Sequence, residues 1–166
     1  MAFPVTCTIM AALVAGAVQL LASPAWAGDF GWAVTEAPAR FNRVLRSSGA
    51  SMRLVEGACS TQVATACAHK FGTAGLVVSS VHGGATAKDI TIVLGKGTEP
   101  GDFLLALAAL AQVAESDLPQ GRHGGLLPAV NLALKNKGRE QTVLGQTRFT
   151  AQHLDLAGFW VIAERP

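Results

Sequence analysis

The residues best equipped for chemistry are four histidines, His69, His82, His123 and His153, and three cysteines, Cys7, Cys59 and Cys67. His82-Gly83-Gly84 and His123-Gly124-Gly125 have the His-Gly-Gly form that can build an oxyanion hole, but that chemistry also needs a Gly-x-Ser-x-Gly nucleophile elbow, which is absent. Each His-Gly-Gly is therefore read first as a turn. No two histidines have the i, i+4 or His-x-His spacing that fixes a metal ion locally, so no metal site is expected. His82, His123 and His153 stand as the only general-base candidates, and they define the alternative reading of a small exported hydrolase of unidentified class.

Other motifs fail on their details. Gly95-Lys96-Gly97-Thr98 follows an apolar run as a phosphate loop would, yet Gly97 stands where the loop needs Ser or Thr after the lysine. The carboxylates are spread along the chain and most have a turn, cap or surface explanation, so no pair stands out for glycoside hydrolysis. The chain has no tyrosine, which also argues against an aromatic-lined sugar cleft. No cofactor is implied.

Cys59 and Cys67 are expected to form a disulfide, because two cysteines in an exported chain meet an oxidising compartment. The other readings are two packed thiols, or a metal site recruiting His69 that lacks a fourth ligand.

Export is expected from the amino terminus. Residues 1–27 carry no charge, run apolar over 9–22, and end in Ala25-Trp26-Ala27, an Ala-x-Ala pattern that suits signal peptidase. The run is too short to span a bilayer. The reading is a secretory signal peptide over 1–27, a single domain over 28–166, and a periplasmic or secreted location with no integral membrane segment after cleavage. The formal charge of +2 is too near neutral to argue for nucleic acid.

The scaffold that must position these groups is organised around residues 102–115, Ala- and Leu-rich and apolar almost all round, which predict a buried helix with Asp102 capping its first turn. Before it, Thr35 is expected to cap a helix ended by Gly49. Alternation through Met52 and Leu54, then Cys67, His69 and Phe71, then Leu76, Val78 and Ser80, then Ile90, Ile92 and Leu94 predicts a strand meander with turns at 72–75 and 82–84. After it comes a helix over about 126–136, closed by Gly138, with Leu127, Val130 and Leu134 on one stripe and Pro128 in its first turn. Strands through 142–144, 148–153 and 159–164 finish the chain in a hairpin. The order helix, strand meander, two helices, terminal strand hairpin predicts an α+β domain, an antiparallel sheet with helices packed on one face.

Two surfaces then become binding candidates. Arg40, Arg43 and Arg46 recur every third residue on the first helix, either as an anion-holding row or as a solvated face. In the last strand Phe159, Val161 and Ala163 alternate with Trp160 and Ile162, so the latter pair belongs to the sheet face opposite the helices. There it either meets a partner or is covered by the segment around Trp32. The expected function is a non-enzymatic binding or interaction domain for a protein partner, an apolar ligand or an envelope component.

Overall fold

The structure, a computed structural model, describes residues 28–80, 84–95, 97–155 and 158–166; the expected leader and His82 lie outside the described residues. The chain runs α1 (Ala37–Ser47), β1 (Leu54–Val55), β2 (Cys59–Ser60), β3 (Ala66–Phe71), β4 (Ala74–Ser80), β5 (Ala87–Leu94), α2 (Pro100–Ala114), α3 (Leu127–Asn136), β6 (Arg139–Leu144), β7 (Thr147–Leu154) and β8 (Gly158–Glu164). Short 3-10 segments, Val34–Glu36 and Gln120–Leu126, precede α1 and α3.

All strands join one eight-stranded antiparallel sheet in the order β1-β3-β4-β5-β8-β7-β6, with β2 paired to β3. This is the α+β architecture expected. Two meanders meet at its centre, where β5 pairs with β8 over Asp89↔Glu164 to Leu94↔Phe159. Each meander follows a helix, α1 in the first half and α3 in the second, and α2 belongs to the link between them.

Strict alternation decides which face the helices take. In β4, β5 and β8 the buried positions include Leu76, Val78, Ile90, Ile92, Leu94, Phe159, Val161 and Ala163, and the residues between them stay half-buried. The buried set forms one hydrophobic cluster with Phe41 and Leu45 of α1, Leu107 and Leu110 of α2, and Val130 of α3. Helix α2 packs on β4, β5 and β8 with α1 and the second 3-10 segment on its flanks, which explains an apolar character all round. Its buried alanines, Ala106, Ala109, Ala111 and Ala114, let neighbours approach closely. Leu107 and Leu110, 2% and 0% exposed, each supply about 1.5 to 3 kcal/mol of burial free energy.

Several local expectations are corrected. Thr35 does not cap α1: it lies inside the 3-10 turn, and Glu36 reaches back to accept the Ala33 N–H at 3.1 Å. Asp102 sits in the first turn of α2 but has a distant partner, accepting from the Thr73 backbone N–H at 3.1 Å and the Thr73 hydroxyl at 3.0 Å. It thereby pins α2 to the β3–β4 turn. Gly72 holds that turn with φ +55°, and a Cβ there would come within 2.5 Å of the Asp102 carboxylate. The turn is tighter than the expected 72–75, because Ala74 and Gly75 already pair within β4.

The end of α3 also differs. Lys137, not Gly138, takes the left-handed conformation, with φ 47°, and Gly138 N–H bonds to the Ala133 carbonyl. The buried stripe of α3 is Val130 and Ala133, whereas Leu127 and Leu134 are 38% and 40% exposed. The reason is position: α3 rests on β6 and β7 near the sheet margin, and its flank toward α2 borders an open groove.

Candidate functional site: the sheet face opposite the helices

The sulfurs of Cys59 and Cys67 lie 2.00 Å apart, at bonding distance. Register brings them there, since the two residues are cross-strand partners of β2 and β3. His69, the third member of the metal alternative, is only 5% exposed on the inner face. Its Nδ1 accepts the Gly57 N–H at 3.2 Å, and burial, opposed in part by the charge of Glu56, lowers its pKa. Among the described residues no group of three or more His, Cys, Asp or Glu is placed to hold a metal ion.

The histidines offered as bases are dispersed. His123 lines an apolar pocket of about 270 Å³ with Leu104, Leu107, Ala108 and Leu127, and its Nε2–H donates to the Glu115 backbone carbonyl at 3.0 Å. His153 lines a second pocket of about 340 Å³ with Phe103, Phe159, Leu94 and Leu134. Its Nδ1 lies 3.7 Å from the carboxylate of Asp155, which is 92% exposed, and that separation is beyond hydrogen-bond reach. The hydroxyl residue in that lining, Thr98, donates to the Gly95 carbonyl at 3.1 Å. Neither pocket joins a histidine to a side-chain nucleophile or carboxylate in the geometry of general-base catalysis.

The arginine row does not converge either. Arg40 pairs with Glu36 at 2.9 Å and stacks 5.0 Å over Trp32. The Ala33 N–H first and Arg40 second hold the Glu36 carboxyl below its usual range, so the charge of Arg40 already has a counterpart. Arg43 and Arg40 border a pocket of about 280 Å³ between α1 and α2, but Arg46 is not among its lining residues.

Trp160 and Ile162 are organised differently. Register sets Trp160 between Val93 of β5 and Gln152 of β7, and Ile162 between Thr91 and Thr150. Trp160, Ile162, Thr91 and Val93 are all half-buried, whereas their chain neighbours in β5 and β8 are fully buried beneath the helices. Trp32 of the covering alternative is itself buried, packed 6.0 Å from Phe30 and beneath Arg40 on the α1 side. The result is a short apolar band of Val93, Trp160 and Ile162, bordered by Thr91, Thr150 and Gln152, at the middle of the face opposite the described helices.

Two polar features of the structure, one of them at this face, escaped the sequence. Asp89 stands beside that band, directly across from Glu164, and accepts the Ser79 hydroxyl at 2.5 Å. Burial first, and the negative charge of Glu164 further down, raise its pKa. The signal was a lone carboxylate in an otherwise apolar strand, and only register could reveal its neighbours. Glu115 is the second, 6% exposed at the end of α2, accepting Thr147 Oγ1 at 2.6 Å and Gln146 N–H at 3.0 Å. Gly145, φ +60°, permits this approach, because a Cβ there would meet the carboxylate at 2.3 Å. Glu115 thus fastens the β6–β7 turn.

No protein-family model, no characterised protein and no solved structure matches this chain.

Proposed function

We propose that this chain is an exported, non-enzymatic binding domain that docks a protein partner on the sheet face around Trp160 and Ile162. One observation carries the reading: four half-buried side chains, Thr91, Val93, Trp160 and Ile162, adjoin one another on the side of the sheet away from every described helix. Contiguous apolar surface of this kind usually has an occupant, and tryptophan is enriched among the residues that dominate binding energy. None of the three pockets described above is lined by Trp160 or Ile162. A protein surface suits it better than a small apolar ligand.

Export rests on separate grounds. A cysteine pair at bonding distance is compatible with an oxidising compartment, and among the described residues no helix is long and apolar enough to cross a membrane. Periplasmic or secreted location follows from the leader-like 1–27 segment.

Trp160→Leu tests the binding reading. Partner capture from envelope extracts should fall by more than about tenfold, the scale of a hot-spot truncation, with the urea midpoint little changed. Retained capture would remove the main support.

A further inference from the structure

Helix α2 rests on β4, β5 and β8 and α3 on β6 and β7, and the pocket of about 340 Å³ opens between them over one end of the sheet. Its sheet side is a cross-strand pair, His153 of β7 and Phe159 of β8. Phe103 in the first turn of α2 and Leu134 near the end of α3 flank that pair, with the Phe103 and Phe159 rings edge to face at 6.1 Å. Strand alternation sets the histidine there. Thr147, Phe149 and Ala151 are buried on the helix side of β7, and His153 continues that side to the end of the strand, where burial gives out. Its backbone N–H donates to the Gly138 carbonyl at 2.9 Å, which ties the strand end to the close of α3.

The polar groups of the lining are few and of one kind. Thr98 spends its hydroxyl proton on the Gly95 carbonyl at 3.1 Å, so its oxygen keeps only lone pairs. The His153 ring makes no hydrogen bond among the described residues. Its Nδ1 is shut off from solvent and lies 3.7 Å from the Asp155 carboxylate, a negative charge that favours the ring proton on that nitrogen. In the neutral ring Nε2 is then an acceptor, and its edge is the accessible one in a side chain 27% exposed. Both free side-chain atoms accept and neither donates. No Lys or Arg is among the described lining residues, so a carboxylate entering the pocket has no cation to meet there. The neighbouring pocket at His123 differs, because that ring is already engaged with the Glu115 carbonyl.

We propose that the pocket between α2 and α3 binds a small, neutral, largely apolar molecule that donates one hydrogen bond, of the kind a phenolic hydroxyl makes, to Nε2 of His153. The volume falls within the range of about 300 to 1,000 Å³ typical of small-molecule sites, where apolar walls hold the body and a few placed polar atoms orient it. Edge-to-face phenylalanines suit an aromatic body. The site is independent of the docking reading above, since Leu94, His153 and Phe159 lie on the helix side of the sheet.

The test titrates para-ethylphenol and para-ethyltoluene, which carry a hydroxyl or a methyl group at the same place on the same ring, into the purified protein and follows its backbone amide resonances. The phenol should bind about fivefold more tightly, the worth of one net hydrogen bond, with shifts centred on Phe103, Leu134 and Phe159. Without an acceptor the order reverses, because burying an unpaired hydroxyl is costly. His153→Phe keeps an aromatic ring in place and should produce that reversal. Leu134→Trp, at a position 40% exposed, narrows the opening and should weaken both probes by at least about tenfold. Urea midpoints certify each variant as folded. Tighter binding of the toluene to the unaltered protein, tighter binding of para-ethylbenzoate than of the phenol, or a phenol preference that survives His153→Phe would overturn the assigned ligand chemistry. Binding of neither probe, or shifts centred on His123 instead, would overturn the site.

Discussion

Val93 and Trp160 are direct cross-strand partners at the seam where β5 meets β8, on the side of the sheet away from the helices. The seam also joins the two meanders, so the same pairing that closes the fold assembles the apolar band. Residues far apart in the chain, Thr91 and Ile162 among them, become neighbours only through it.

The fold is held from the opposite side by α2. Leu110→Ala should destabilise by about 2 to 5 kcal/mol, the range for deleting buried methyl groups where the site only partly collapses. Arg43 is exposed on α1, and Arg43→Ala should cost within about 0.5 kcal/mol. Urea unfolding followed by circular dichroism compares the two, and equal midpoint shifts would contradict the burial described for α2.

The Cys59–Cys67 pair closes a short loop, with eight positions separating the two residues. Chain-entropy arguments give such a bridge roughly 2.5 kcal/mol. Cys59→Ser should lower stability by about that amount without dissolving the sheet, because β2 contributes only Cys59 and Ser60 at the margin of β3. Intact mass under non-reducing alkylation checks the bond itself, and two alkylated thiols in the native protein would contradict it.

His69 should make stability fall in mild acid. Its folded pKa lies below the ordinary 6.5 because burial disfavours the imidazolium, so below about pH 6.5 the unfolded chain binds a proton that the folded chain resists. Stability is then full at neutral pH and above, and is lost as pH falls through 6.5 toward the depressed folded value. His69→Gln should flatten that part of the profile measured by urea midpoints between neutrality and mild acid. An unchanged slope in the variant would assign the effect elsewhere.

What could be read directly from the sequence followed periodicity. Alternation through Ile90, Ile92 and Leu94 and through Phe159, Val161 and Ala163 identified the buried sides of β5 and β8, and the Ala- and Leu-rich run identified α2. Local chemistry was less legible where a side chain had a distant partner. Asp102 resembles a helix cap by position, yet it binds Thr73 in another turn. Glu115 resembles a helix-end carboxylate, yet it is buried under the β6–β7 turn. Asp89 acquires its meaning from Glu164, Ser79 and Arg148, all brought near by strand register and none of them beside it in the chain. Similarly, α3 has apolar residues enough for a wider stripe, but its place over β6 and β7 leaves Leu127 and Leu134 at the edge of a groove.

Photocrosslinking in the producing cell tests the proposed docking face, opposite the described helices, most directly. A photoreactive residue replacing Thr91, beside Ile162 on that face, is compared with one replacing Leu104, 53% exposed on α2. The docking account predicts a discrete adduct from position 91, abolished by a second substitution, Trp160→Leu, and none from position 104. Adducts confined to position 104, or adducts at position 91 that persist unchanged in the Trp160→Leu background, would contradict it.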